Sequence, residues 1–126
     1  MINRLNHVVI IVPEYEEALA YYVDVLGFEK HADMPLGDGF RWLTVAPKNQ
    51  SDVRIVLSKA TDPVEEDLIG KVRGWVFEVD DCKNACEDLV TKGVKLLETP
   101  SSYVWGTQAI IEDMYGNQFT LLQPNS

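Results

Sequence analysis

The side chains that most readily suggest a chemical role are two histidines, His7 and His31. His7 begins an apolar segment, and an imidazole that titrates near neutral pH can serve as a general base or as a hydrogen-bonding group for a ligand. A histidine that is hydrogen-bonded to the backbone or to a neighbouring residue is the simpler interpretation. His31 stands among polar residues, so we expect it at the surface. His7 is therefore the first candidate for a functional site.

The two cysteines, Cys82 and Cys86, are four residues apart. In a helix this spacing places both on one face, and small buried core residues are the expected result. Cys82 stands in the first turn of a predicted helix, where the dipole would favour the thiolate if the side chain were exposed. Two cysteines are too few for a secreted disulfide framework, and no second Cys or His pair stands at zinc-like spacing. A cytoplasmic, reducing location is expected.

The composition limits the class of protein. Of 126 residues, 46% are hydrophobic, which is enough for one domain with a normal core. No apolar run approaches the roughly 20 residues that span a bilayer, so no membrane segment is expected. The net charge of −9 argues against nucleic-acid binding, because phosphate recognition needs a basic face. The acids are spread along the chain, which indicates either a solvated surface or a preference for cationic ligands.

A repeat with an offset of 67 residues organises the chain. The apolar strand His7–Val12 and a second strand over residues 74–79 are each followed by a predicted helix. Pro13 and Glu14 are expected in the first turn of the first helix, and Asp80 is expected to be the N-cap of the second. The two helices share an apolar stripe, which contains Tyr15, Ala18, Leu19, Tyr22 and Val25 in the first and Cys82, Ala85, Cys86 and Leu89 in the second.

Further predicted strands complete each half of the chain. They are residues 29–32, 40–46 and 53–58 in the first half, and residues 95–98, 107–112 and 118–123 in the second. Residues 60–72, which contain Pro63, Gly70 and four acids, are interpreted as a linker. We therefore expect a single domain over residues 1–126, with module one at 1–59 and module two at 73–126, each of the order β-α-β-β-β.

Two segments resemble the proteins of the vicinal oxygen chelate superfamily, which includes glyoxalases, bleomycin-resistance proteins and ring-cleaving dioxygenases. The first is His7–Val12 followed by AYYVDVLGF at residues 20–28, and the second is EDMYGNQF at residues 112–119. The second is similar to that family's aspartate–glycine–asparagine turn before the last strand. The resemblance covers essentially the whole chain. It implies an α+β fold in which two βαβββ modules form a half-open mixed sheet around a cavity, and it implies a homodimer.

The resemblance also implies positions for a metal site, because enzymes of this family bind one divalent ion through His and Glu side chains of both modules. These positions correspond to His7, Val56, Gly74 and Thr120. Valine and glycine offer no ligand atom, and a threonine hydroxyl is a poor ligand for a divalent ion. Glu78 shares a strand face with Gly74, so Glu78 and His7 could form part of a displaced site. No metal is therefore expected, and a divalent ion at a displaced site is the alternative.

Other residues are expected beside the implied cavity. Trp42 and Trp105 lie in or beside the strands of its wall, where an indole either packs in the ordinary way or stacks on a planar ligand or a cation. Arg41 and Arg54 are the nearest basic residues. Arg54 shares strand parity with Val56, so it points either inward, where it could bind a carboxylate, or outward into solvent.

Three classes of function follow, because proteins of this fold catalyse unrelated reactions or only bind. The favoured hypothesis is a metal-free small-molecule-binding protein, similar in kind to the drug-sequestering bleomycin-resistance proteins. The alternatives are an enzyme, either a metal-dependent lyase, isomerase or dioxygenase with a non-standard site or a metal-free enzyme that uses His7 or Glu78, and a domain that acts through protein contacts. The ligand-binding candidates are His7, Trp42, Arg54, Glu78, Trp105 and Thr120.

Overall fold

The computed structural model describes residues 1–125. It contains two compact units, the first over residues 1–69 and the second from residue 70 onward. The boundary falls inside the segment that the sequence indicates as a linker. We call them unit 1 and unit 2, and each is described by itself. Among the described residues, no helix has the length and hydropathy that crossing a membrane requires.

Unit 1 has the order strand, helix and three strands, followed by a short helix. Its elements are β1 (His7–Val12), α1 (Tyr15–Ala20) with a π-helical continuation (Tyr21–Val25), β2 (Glu29–Gly37), β3 (Phe40–Ala46), β4 (Arg54–Lys59) and α2 (Pro63–Glu66). The strands form one mixed sheet in the order β1-β4-β3-β2. The first strand is parallel to β4, and the remaining pairs are antiparallel.

Unit 2 repeats this arrangement. Its elements are β5 (Trp75–Glu78), α3 (Cys82–Thr91), β6 (Lys95–Tyr103), β7 (Gly106–Glu112) and β8 (Gln118–Pro124). The sheet order is β5-β8-β7-β6, with β5 parallel to β8 and the other pairs antiparallel. Both units are therefore βαβββ modules with a four-stranded mixed sheet, which confirms the predicted α+β fold class.

The register of the strands confirms the 67-residue offset. In unit 1, Ile10 of β1 pairs with Leu57 of β4. In unit 2, Phe77 of β5 pairs with Leu121 of β8. Ile10 and Phe77 are 67 residues apart, whereas Leu57 and Leu121 are 64 apart, so the offset holds for the first strand of each unit and is three residues shorter at the last.

One face of each sheet packs against the helix of the same unit. Alternate residues of a strand point to the same face, so each core is built from every second strand residue. In unit 1 the core residues are Ile10, Val12, Leu43, Val45, Ile55 and Leu57, with Tyr15, Ala18 and Tyr22 from the helical segment. In unit 2 they are Ala109, Ile111, Phe119 and Leu121, with Cys82 and Cys86 from α3. The predicted helical stripes therefore face the sheets.

The helix starts differ from the sequence predictions. Asp81, and not Asp80, is the N-cap of α3, because its Oδ1 accepts the backbone N–H of Asn84 at 3.0 Å. The first helix begins at Tyr15 with Glu14 as N-cap, so Pro13 precedes the helix and is outside its first turn. Both shifts are one to two residues, and they reflect cap geometry that spacing alone does not resolve.

Two segments contain more regular structure than predicted. The strands β2 and β6 each extend over nine residues, because each continues into a long antiparallel hairpin with the following strand. The linker contains α2, a single turn that Asp62 caps by accepting the backbone N–H of Glu65 at 2.8 Å.

Hydrogen bonds of a buried turn connect the start of unit 2 with its last hairpin. Asp113 accepts the backbone N–H groups of Tyr115 and Asn117, both at 2.9 Å. The Asn117 side chain donates to Asp113 Oδ2 at 2.8 Å and accepts the backbone N–H of Val72 at 3.0 Å. Asn117 is fully buried, so these bonds satisfy polar groups that water does not reach. The aspartate–glycine–asparagine segment therefore has a structural role in this chain.

Candidate functional site

The face of each sheet that points away from its own helix carries most of the candidate residues. We call it the helix-free face. In unit 1 it includes His7, Val9 and Ile11 of β1, Arg54, Val56 and Ser58 of β4, Trp42 and Thr44 of β3, and Glu29 and Met34 of β2. Three of the six predicted ligand-binding residues, His7, Trp42 and Arg54, thus share one face of unit 1.

His7 and Trp42 are in direct contact on this face. Their ring centroids are 5.4 Å apart and the rings are nearly perpendicular, at 88°. Since β4 separates β1 from β3 in the sheet order, the two rings meet above the middle strand. His7 Nδ1 lies 2.8 Å from Asn6 Oδ1. With the amide oxygen as acceptor, Nδ1 is the donor, and Nε2 takes no part in this hydrogen bond.

Arg54 is the neighbour of His7 in the parallel strand pair. Its side chain is exposed, and among residues 1–125 no carboxylate lies within ion-pairing distance of it. Side chains alternate along β4, so Arg54 and Val56 point to one face, while Ile55 and Leu57 point to the helix side. Arg54 therefore projects from the helix-free face beside His7.

Arg41 is not part of this face, which corrects its placement beside the cavity. Its guanidinium donates to Asp33 through Nε at 3.0 Å and through Nη2 at 2.7 Å, and it also pairs with Glu16. The guanidinium carbon lies 5.3 Å from the ring centre of Tyr15, above the ring. The hydrogen bonds from Arg41 hold the pKa of Asp33 below its usual range. Arg41 points to the helix side because it alternates with Trp42 along β3. Its ion pairs therefore connect β3 with α1 and β2.

Thr44 presents an unsatisfied polar atom on the helix-free face of unit 1. The residue is fully buried, and its hydroxyl oxygen has no hydrogen-bond partner within residues 1–125. Its strand partner Val56 is also buried, at 6% exposure. A buried hydroxyl without a partner is costly in a folded protein, so this atom is a site where a further hydrogen bond would be favourable.

The positions that correspond to metal ligands do not provide a suitable donor set. In unit 1, Val56 pairs with Val9, so the position near His7 holds an apolar side chain. In unit 2, Gly74 has a φ of +84°, a conformation that strains any residue with a side chain. Thr120 pairs with Val76 and offers a hydroxyl only. Within residues 1–125, no group of three or more His, Cys, Asp or Glu side chains is arranged to hold a metal ion.

The helix-free face of unit 2 has a different character. It carries Val76 and Glu78 of β5, Gln118, Thr120 and Leu122 of β8, Gln108, Ile110 and Glu112 of β7, and Glu98 of β6. Two of the predicted ligand-binding residues, Glu78 and Thr120, lie here. The carboxylate of Glu112 is paired with Lys95 at 3.4 Å. This face therefore carries three carboxylates, those of Glu78, Glu98 and Glu112, among apolar and amide side chains, whereas that of unit 1 carries the His7–Trp42 pair and Arg54.

Trp105 lies in the tight connection between β6 and β7 and stacks on Tyr103. The ring centroids are 4.7 Å apart and the planes differ by 5°. Trp105 Nε1 donates to Gln108 at 3.0 Å, and the Tyr103 hydroxyl donates to Glu98 at 2.8 Å. The same bond to Glu98 raises the pKa of Tyr103. Sequence reasoning missed Tyr103, although two aromatic residues two positions apart at a hairpin end are a signal for such a pair.

The polar end of β5 contains a shallow groove of about 400 Å³. Its lining residues are Glu78, Val79, Asp80, Thr107, Gln123, Pro124 and Asn125. It contains two carboxylates and no aromatic ring, which makes it a poor surface for a planar apolar molecule. The aromatic surfaces are the His7–Trp42 pair of unit 1 and the Tyr103–Trp105 stack of unit 2.

The cysteines are core residues, as predicted. Both are buried, and the backbone N–H of Cys82 donates to the side chain of Gln123 at 2.9 Å. Burial raises the pKa of both thiols, that of Cys86 to about 11. Neutral buried thiols are poor nucleophiles, so Cys82 and Cys86 are not part of a reactive site.

Residues 4–121 match the family model of the Glyoxalase/Bleomycin resistance protein/Dioxygenase superfamily. The solved structure of UcmS2 is similar with a TM-score of 0.86 and 35% identity, and the match covers 98% of this chain and 99% of that one. TnmS3, an antibiotic-binding protein from Streptomyces sp. CB03234, has a TM-score of 0.84 and 35% identity, with 98% of each chain covered. An uncharacterised protein of Shewanella frigidimarina (strain NCIMB 400) is 33% identical, and the match covers 99% of this chain and 96% of that protein.

Proposed function

Since this chain belongs to the glyoxalase, bleomycin resistance protein and dioxygenase superfamily, we propose that it is a small-molecule-binding member that holds its ligand without a divalent metal. The observation that carries the proposal is the donor set at the four metal positions of the family. His7 is the one residue of the four with a strong ligand atom, and the others are Val56, Gly74 and Thr120. A divalent ion on one imidazole would keep most of its coordination shell as water.

The binding surface that we assign is the helix-free face of unit 1. The perpendicular His7–Trp42 pair supplies aromatic surface, and Arg54 beside it supplies hydrogen-bond donors. Binding sites for small molecules combine an apolar surface with a few polar groups that fix the orientation of the ligand. A solved relative with 35% identity, TnmS3, is an antibiotic-binding protein, which supports a binding role for this chain.

The proposal includes an assembly and a location. We expect a homodimer, because each four-stranded sheet has edge strands that a second copy can cover. Light scattering at micromolar concentration measures this directly, and a monomer would contradict it. We also expect the protein in the reducing cytoplasm, where its two cysteines remain thiols.

A ligand screen in the presence of a chelator tests the binding function. The purified protein is incubated with EDTA and then with a panel of aromatic and aliphatic small molecules, and the melting temperature Tm is measured. A ligand at 100 times its Kd stabilises a domain of this size by roughly 2.7 kcal/mol, which corresponds to roughly 10 °C in Tm. We expect such ligands to act in EDTA and to bind more weakly to the Trp42→Ala variant than to the Trp105→Ala variant.

The contrary result is equally clear. Ligands that raise Tm only after Zn, Ni, Mn or Fe is restored would favour the alternative, a metal-dependent lyase, isomerase or dioxygenase with a non-standard site. Such a site would use His7 together with a displaced ligand such as Glu78. Equal effects of the two tryptophan variants would contradict the assignment of the binding surface to unit 1. They would not contradict metal-free binding.

A further inference from the structure

Two arginines of unit 1 differ in what balances their charge. Arg41 on the helix side pairs with two carboxylates, Asp33 and Glu16. Arg54 on the helix-free face has no carboxylate within ion-pairing distance among the described residues. The chain has 20 acidic and 11 basic residues, so counter-ions are abundant. An arginine that has none, beside aromatic surface, is available to an anion from outside.

The polar atoms near Arg54 suit an anionic group. Arg54 pairs in register with His7, whose Nδ1 N–H already donates to Asn6, so the guanidinium is the main donor for an anion at this position. The buried Thr44 hydroxyl on the same face lacks a partner within residues 1–125 and can donate one hydrogen bond. One carboxylate of this face, Glu29, lies on β2, two strands away from β4, and no ion pair joins it to Arg54.

Three apolar side chains of the same face are accessible. Trp42 is partly exposed, while Val9 and Met34 are 44% and 55% exposed. Met34 pairs with Trp42 across β2 and β3, and Val9 pairs with Val56 across β1 and β4. Met34 is thus beside the indole, and Val9 is beside His7, which contacts the same indole, so these side chains offer a surface for a flat apolar ring.

We propose that the ligand of this face is a planar aromatic acid, with its carboxylate paired to the Arg54 guanidinium and its ring packed against Trp42, Val9 and Met34. The two oxygens of a carboxylate match the fork of N–H donors that arginine presents. This inference rests on the proposed binding function and adds the charge and shape of the ligand.

The net charge of the chain opposes the binding of an anion. A net charge of −9 attracts cations and repels anions at long range. At physiological ionic strength, however, the screening length is about 8 Å, so contacts at the binding face outweigh distant carboxylates. The local guanidinium therefore decides the sign of the preferred ligand, and of the two interpretations of the net charge this face favours a solvated surface over a preference for cationic ligands.

Three probes with one ring system separate charge from shape. They are 2-naphthoate, the neutral 2-naphthamide and the cationic 2-naphthylmethylammonium, titrated in EDTA and followed by tryptophan fluorescence and calorimetry. We expect 2-naphthoate to bind about tenfold or more tightly than the amide, because charge-assisted hydrogen bonds exceed neutral ones. The cation should bind most weakly.

Matched variants assign the effect to one residue. Arg54→Gln should weaken 2-naphthoate by about tenfold and leave 2-naphthamide unchanged, since only the ionic contact is lost. Lys59→Gln removes one positive charge from the other face of the same strand, where Lys59 pairs with Glu14, and should change neither probe. Because Arg54 is exposed, the variant should keep the wild-type Tm, which confirms that it folds.

Several outcomes would overturn the inference. Equal affinity for the acid and the amide would do so, as would tighter binding of the cation, no binding of any probe, or an unchanged affinity of 2-naphthoate for Arg54→Gln. In each case the chelator screen still decides the proposed function separately. Ligands that bind in EDTA would support the proposal of metal-free binding, and ligands that bind only after metal is added would contradict it.

Discussion

The two units carry the same topology and differ most on the face that their own helix does not cover. On the helix side, equivalent positions hold apolar side chains in both units, such as Leu57 in β4 and Leu121 in β8. On the helix-free face, unit 1 presents His7, Trp42 and Arg54, whereas unit 2 presents carboxylates and amides together with apolar residues such as Val76. The helix side must exclude water for the unit to fold, so its apolar character is retained in both copies.

The difference shows which constraints a duplicated fold imposes. A helix packed on a sheet requires apolar residues at every second strand position, and this requirement applies equally to both units. The other face has no such requirement, so its residues can be chosen for binding. The aromatic and cationic surface of unit 1 and the acidic surface of unit 2 are therefore the informative part of the molecule.

The largest expected effect is the loss of equivalent core leucines. Leu57→Ala and Leu121→Ala should each lower the free energy of unfolding by about 2–5 kcal/mol, because each leaves a cavity in a buried sheet face. Val9→Ala, on the helix-free face at 44% exposure, should cost under about 1 kcal/mol. Urea denaturation measures all three variants. A small loss at Leu121 beside a large one at Leu57 would show that the two cores are not equivalent.

A smaller effect is expected from the buried turn of unit 2. Asn117→Ala removes the acceptor for the Val72 backbone N–H and the donor to Asp113. Leaving a buried polar group unpaired costs about 1–3 kcal/mol, and that loss should appear in the same denaturation experiment. Asn125→Ala is a suitable control, because Asn125 is exposed and its side chain bonds to one exposed carbonyl, that of Val104. A loss at Asn117 no greater than at Asn125 would mean that this turn does not stabilise the unit.

The smallest effect concerns the arginine on the helix side. Arg41→Gln should lower the free energy of unfolding by about 1 kcal/mol at neutral pH, because its partly exposed pairs are screened by solvent. Arg41 lowers the pKa of Asp33, so this stabilisation is present above the usual carboxyl pKa near 4 and is lost as the pH falls below it. Denaturation of both proteins at pH 7 and pH 3 should therefore give a smaller difference at pH 3. An equal difference at both pH values would exclude the Asp33 pair as its source.

Most of the fold could be predicted from the sequence, because it depends on periodic apolar patterns. The strand and helix of each unit follow from alternation and from stripes such as Tyr15, Ala18 and Tyr22, and these patterns occur twice. The predicted helix starts differed from the observed ones, as at Asp81. Several polar residues in succession can act as a cap, and only the backbone geometry selects one of them. The helical turn α2 was missed since four residues give no period.

The site was less predictable, because it depends on which side chains meet across strands. The alternation along β4 did not show whether the Arg54 side chain points toward the helix or away from it. The burial of Ile55 and Leu57 on the helix side shows that Arg54 points away from the helix. The His7–Trp42 contact joins residues 35 positions apart over an intervening strand, and no local pattern encodes it. The roles of His7, Trp42, Arg54, Glu78, Trp105 and Thr120 in binding remain predictions.

The metal content of the purified protein tests the central claim most directly. Elemental analysis by plasma mass spectrometry is applied to wild-type protein and to His7→Ala, each purified without chelator and dialysed against metal-free buffer. A metal held by one imidazole exchanges freely, so both proteins should contain far less than one divalent ion per chain. One equivalent of Zn, Ni, Mn or Fe per wild-type chain that disappears in His7→Ala would contradict the account.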